Sequence, residues 1–172
     1  MKNNWEFSKK LHFPTVRAIP MKDVPWYKRF VSSLLHLREW EIMEDYIIWS
    51  EYLQAYLFIP KGFIYDGASV PKILHSIYSS IGVLFLGSGP HDLGYRYGGL
   101  LLIDTSGVLT FREYTKKELD RVFHHLCILE NHLVAVSTIA TSVLHVFGWF
   151  TWNSYRQKGL DIYKDFPDLL IV

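Results

Sequence analysis

The sequence predicts an α+β domain in which an N-terminal antiparallel β-sheet packs on a helical half. Three observations carry that expectation. Residues 38–70 are dominated by β-branched and aromatic residues in short runs. Residues 71–158 carry helix signals instead, including a Pro90 that suits a first helical turn and the capping-box spacing of Thr115-Lys116-Lys117-Glu118. With 172 residues, 49% of them apolar, the chain is long enough for one real core, and no repeat, low-complexity segment or linker divides it.

Taken in order, residues 1–37 mix aromatics, prolines and lysines (Phe13-Pro14, Ile19-Pro20, Pro25-Trp26) and read as an irregular wrap with one short helix around 26–37. Trp40 with Ile42, Tyr46 to Trp49 and Tyr56 to Ile59 follow as strands of a hairpin or meander. Pro60-Lys61-Gly62 turns the chain, and Phe63-Ile64-Tyr65 extends again. Asp66 to Ser69 form a loop that Pro71 keeps from becoming helix at once, with a short helix to Ile77. A helix carrying His91 and Asp92 in its first turn is expected to start near Pro90 and to end at Gly98-Gly99. There the helix dipole would keep the His91 imidazole neutral. A small hairpin turned at Asp104-Thr105-Ser106-Gly107 comes next. The following helix, starting near 116, buries Leu119, Val122, Phe123, Leu126 and Cys127 or Ile128, with Asp120 at the margin of that stripe and able to reach inward. Residues 159–172 form a short mixed tail.

Eighteen basic residues against 17 acidic ones leave a formal charge of +1, so no basic field draws nucleic acid. One cysteine, Cys127, excludes an internal disulfide framework. The N-terminus lacks the pattern of a cleaved export signal, which points to a cytoplasmic or membrane-associated protein. The run from Leu133 to Trp152 has no Asp, Glu, Lys or Arg and is long enough to span a bilayer. Its Ser, Thr, His145 and Gly148 moderate its hydrophobicity, so a buried helix is the favoured reading and membrane insertion or interfacial contact the alternative.

Two constellations carry chemistry. In the first, His91, Asp92 and Tyr95 meet a distant Asp120. Hydrolysis of an ester by activated water needs a base near neutrality and a group that holds its tautomer; His91 suits the first role and Asp120 the second. Asp92, about 100° further round the helix, is free to bind a metal. A hard carboxylate with carbonyls and water suits calcium better than zinc. The blander alternative makes His91 and Asp92 helix caps and Asp120 a structural partner of Tyr95 or an arginine. In the second constellation Asp66 is surrounded by Gly67, Ala68 and Ser69, and this loop either completes a metal site or forms a plain Asx turn. His124-His125 are weaker candidates, His75, His132 and His145 stand isolated, and Cys127 reads as core.

The ordered series Gly62-Phe63, Asp66-Gly67-Ala68-Ser69-Val70-Pro71, His91-Asp92 with Tyr95, and Asp120 with Phe123 resembles the family catalogued as domain of unknown function 1353, common in phages and prophages. The likeness covers roughly residues 40–155. More distantly, His91-Asp92-Leu93-Gly94-Tyr95-Arg96 resembles the His-Asp helix of bacterial and fungal phospholipases A2, whose second helix supplies an Asp in an Asp-x-x-Phe setting, matched by Asp120 to Phe123. That resemblance implies that His91 activates water, Asp120 orients it, Tyr95 braces Asp120, and Asp92 ligates a calcium that polarises the ester carbonyl. The phospholipase disulfides and its glycine-rich calcium loop are missing.

The leading expectation is therefore a phage-type hydrolase of lipid esters at a phospholipid membrane surface. The contrasting one is a non-catalytic phage or prophage factor that binds a host or virion protein and keeps the His-Asp network as scaffold. A third is a metal-dependent hydrolase of cell-wall amides built on His91, Asp92, Asp66 and His124 or His125.

Overall fold

The computed structural model describes residues 12–20, 39–65, 85–104 and 106–170. The expected helices around 26–37 and up to Ile77, and the loop with Asp66, Gly67 and Ser69, lie outside the described residues.

The strand-rich region forms two antiparallel sheets. In the first, β1 (Val16–Ala18), β2 (Trp40–Ile42) and β5 (Ile64–Tyr65) lie in the order β1-β2-β5. Val16 stands opposite Ile42 and Trp40 opposite Tyr65. The second has the order β3-β4-β6-β7, from β3 (Tyr46–Ser50), β4 (Ala55–Ile59), β6 (Gly99–Ile103) and β7 (Leu109–Glu113). Two expectations are corrected here. The N-terminal segment read as an irregular wrap contributes a strand. Trp40–Ile42 pairs with its neighbours on either side in the small sheet rather than continuing a meander into β3. The late hairpin forms as expected and joins the main sheet through β6, whose Ile103 is the register partner of Tyr56. Its all-apolar Gly-Leu-Leu-Leu-Ile run is buried along its whole length, as a central strand covered on both faces requires.

Among the described residues are four α-helices: α1 (Phe85–Tyr97), which precedes β6, then α2 (Lys116–Asn131), α3 (Val134–Lys158) and the single-turn α4 (Ile162–Asp165). The architecture is α+β, as expected. α2 begins where the capping box places it. Thr115 is extended and accepts the Glu118 amide, while the Glu118 carboxylate accepts the Thr115 amide at 2.8 Å. Leu119, Val122, Phe123, Leu126 and Cys127 are all buried.

α1 departs from expectation at its start. Pro90 sits inside it, so His91 and Asp92 lie beyond its first turn. An interior proline loses one helical hydrogen bond and costs about 3 kcal/mol. Packing offsets that cost: Leu86, Leu93, Tyr95 and Tyr97 are buried, and the Leu86 amide donates to the Glu130 carboxylate at 3.0 Å. The small residues around Pro90 serve close approach to α2. A Cβ on Gly87 would stand 2.7 Å from Cys127 Sγ, and one on Gly94 would stand 2.6 Å from the Leu119 side chain. At the other end Gly98 takes φ +78° and donates to Gly94 O at 2.7 Å, while the Arg156 guanidinium donates to the carbonyls of Tyr95 and Arg96.

α3 overturns the buried-helix reading of the apolar run. It packs one narrow strip, including Ser137, Ala140 and Gly148, on α1 and α2, and only 17% of its most apolar window is buried. Ile139, Val146, Phe147, Trp149 and Phe150 are exposed.

Candidate functional site

Each side chain of the candidate site is placed by a helix that the core positions. His91 and Tyr95, four residues apart, share the α1 face turned to α2, and their rings lie 4.0 Å apart between centroids. Phe123 of α2 closes on the imidazole at 5.2 Å. Asp120, one turn before Phe123, projects between α1 and α3, and its residue is only 2% exposed. The helices thus bring His91, Tyr95 and Asp120 together.

Asp120 is the hub. Its Oδ1 accepts the Tyr95 hydroxyl at 2.6 Å and lies 3.3 Å from His91 Nε2. Its Oδ2 accepts Lys116 Nζ at 2.8 Å and lies 3.4 Å from His145 Nδ1. Lys116 donates also to the carbonyls of Leu144 and His145, tying α2 to α3. A buried carboxylate with this many donors is a charge fully compensated in place. Burial works against its ionisation, yet His91, Lys116 and Tyr95 together hold its carboxyl far below the usual range. Burial and the hydrogen bond to Asp120 keep the Tyr95 phenol protonated well past its ordinary range.

His91 corrects the expectation of a weakened base. Burial opposes its protonation, but the hydrogen bonds and charges of Asp120 and Asp92 outweigh it and raise the imidazole above its ordinary 6.5. Because His91 lies past the first turn of α1, the dipole at the helix start does not act on it. With Nε2 directed at Asp120, the other nitrogen, Nδ1, faces Asp92, whose Oδ1 is 3.7 Å away. Asp92 Oδ2 is buried with no hydrogen-bond partner. That oxygen has the character of a hard-cation ligand, but among the described residues no group of three or more His, Cys, Asp or Glu side chains is arranged to hold a metal ion.

His145, read as isolated, lies against Asp120, and Lys116 and Gly148 are further residues that sequence reasoning missed. The four-residue spacing of Lys116 and Asp120 was the one available signal. Gly148 belongs to tertiary packing: a Cβ there would stand 2.7 Å from the Tyr95 hydroxyl, so its absence lets α3 close over the network. The other weak candidates have local partners. His125 stacks on Tyr52 at 4.8 Å, His124 Nδ1 lies 3.3 Å from Thr141 Oγ1, and Cys127 is buried with its thiol pushed up by burial. Asp66, Gly67 and Ser69 lie outside the described residues.

The model of one family, described as protein of unknown function (DUF1353), matches residues 40–147, a span that takes in β2 to β7, α1, α2 and the first half of α3. Among curated proteins and among solved structures, none matches the chain.

Proposed function

We propose, for a chain that belongs to the DUF1353 family of proteins of unknown function, that it hydrolyses lipid esters at a membrane surface with His91 as general base. The observation that carries this reading is the orientation of the imidazole. Asp120 lies at Nε2, itself braced by Tyr95 at 2.6 Å and Lys116 at 2.8 Å, so the neutral tautomer carries its proton on Nε2 and its lone pair on Nδ1. Nδ1 then takes a proton from water as the water oxygen attacks the ester carbonyl carbon. The same proton passes to the departing alkoxide when the tetrahedral intermediate collapses. Asp92 is the residue that would hold calcium. Calcium bound there would polarise the ester carbonyl. The exposed apolar face of α3 supports the choice of a lipid interface over a soluble ester.

A second reading has its own observation. His91 and Tyr95 are 5% and 3% exposed, and α3 closes on Tyr95 at Gly148, as in a structural network that holds three helices for a binding protein of phage or prophage origin. Fatty-acid release from mixed phospholipid vesicles, with calcium or with chelator, separates the two. The hydrolase reading expects calcium-dependent release that falls by about 10²–10⁴-fold in His91→Ala with the circular dichroism spectrum unchanged. No release by folded wild-type protein, together with a lowered melting temperature of His91→Ala, would establish the scaffold instead.

A further inference from the structure

Beside the His91 network, on the far side of the Asp120 carboxylate, a groove of about 400 Å³ is lined by α2 and α3. That volume lies in the range of small-molecule clefts, about 300–1,000 Å³. Lys117, Arg121 and His124 line it from α2, and Thr138, Thr141, Ser142, His145 and Val146 from α3, with Asp120 as the one lining carboxylate. Asp120 already receives Lys116. Lys117 and Arg121, by contrast, have no ion-pair partner among the described residues. The three hydroxyls donate to carbonyls of their own helix, at 2.8 Å for Thr138, 2.7 Å for Thr141 and 2.8 Å for Ser142. The donors left to a ligand are therefore the two cations and the Nε2 atoms of His124 and His145, whose Nδ1 atoms already face Thr141 and Asp120, a set that suits an anion with several oxygens.

We propose that this groove binds the phosphate of an anionic phospholipid headgroup while the adjoining apolar face of α3 enters the acyl region. The join between the two surfaces selects a lipid over a soluble phosphate compound. Val146 lines the groove and is also 63% exposed, and Phe147 and Phe150 continue the apolar surface from it. A phosphate held by Lys117 and Arg121 thus lies next to the side chains that would contact its acyl chains. The proposal rests on the interfacial reading of the function but not on catalysis, since the groove residue His145 meets Asp120 at Oδ2 and His91 meets it at Oδ1.

Co-sedimentation of the full chain with vesicles of phosphatidylcholine alone and of phosphatidylcholine with phosphatidylglycerol tests it, turnover being measured separately on the same preparation. Wild-type protein should prefer the anionic vesicles, and Lys117→Gln/Arg121→Gln should lose affinity for them on the order of 25-fold, taking about fivefold per basic residue at the surface. Lys61→Gln/Lys164→Gln, which removes the same charge elsewhere, should bind as wild type. Equal losses in the two double variants would make net charge the cause and overturn the groove, as would an unchanged affinity in Lys117→Gln/Arg121→Gln. Saturable shifts of the His124 and His145 ring signals by inorganic phosphate that anionic vesicles fail to displace would assign the groove to a soluble compound and overturn the lipid. Groove-dependent binding without hydrolysis would remove the hydrolase reading alone, and hydrolysis with groove-independent binding the present proposal alone.

Discussion

At the scale of single residues, His91 and Asp120 set opposite pH limits on one network. The imidazole is raised above 6.5 because Asp120 and Asp92 favour its charged form over the penalty of burial. Its contribution to stability is therefore fully present below about 6.5, the unfolded value, and is lost as pH rises through the higher folded value. The Asp120 carboxyl is depressed, so its contribution is present above its ordinary 3.8 and is lost only as pH falls through its lower folded value. If His91 is the general base of the proposed hydrolase, it must be neutral to act, so the acid limb of hydrolysis should have its midpoint above 6.5 and activity should rise through the window in which the His91 contribution to stability falls. Denaturant unfolding and initial rates measured across the same pH series check both halves. A rate limb below 6.5, or a stability difference between wild type and His91→Gln that widens with rising pH through that window, would refute the assignment of the shift to Asp120 and Asp92.

At the scale of elements, the network is a device that holds three helices at short separations, and glycines set the distances. Gly87 and Gly94 let α1 lie close to α2, and Gly148 lets α3 lie on Tyr95. Gly148→Val should force either the Tyr95 ring or α3 to move, at a cost typical of overpacking, about 1–3 kcal/mol. Thermal unfolding measures the cost, and a melting temperature equal to wild type would show that α3 does not close on Tyr95. These elements also show what the sequence could reveal. The Thr115–Glu118 capping box and the buried stripe of α2 were legible because both depend on residues within two turns of one another. The contact of Asp120 with Tyr95 was implied by a motif resemblance, and the geometry of the two helices supplies the distance. The start of α1 was misread because Gly-Ser-Gly-Pro is a breaker by local propensity, whereas packing of Gly87 against Cys127 and of Gly89 against Ile59 uses the same small residues to continue a helix. His145 gave no sign of reaching Asp120, since nothing in the spacing of α3 records which of its faces meets α2.

At the scale of the molecule, α3 is the feature that a solvated monomer explains least. A helix that buries one face ordinarily carries polar residues on the other, but this one buries only a narrow strip and leaves Ile139, Val146, Phe147, Trp149 and Phe150 exposed. That pattern made the run from Leu133 to Trp152 look like a buried helix, because composition without periodicity cannot say that only a narrow strip is covered. Val146, Phe147, Trp149 and Phe150 form a contiguous exposed group, a surface that marks an interaction site in soluble proteins. If that site meets lipid, replacing Phe147 and Phe150 with serine removes side chains that each contribute roughly 1.5–3 kcal/mol when taken out of water. Affinity for phospholipid vesicles should then fall at least about 100-fold. Folding should change little, because both rings are solvated in the free protein at 62% and 71% exposure. Vesicle co-sedimentation and thermal unfolding of Phe147→Ser/Phe150→Ser report the two quantities. Unchanged vesicle affinity with a wild-type melting temperature would remove the lipid from this face, whereas a sharp loss of thermal stability would mean that the rings are covered in the folded protein in solution, as they would be by a second copy of the chain.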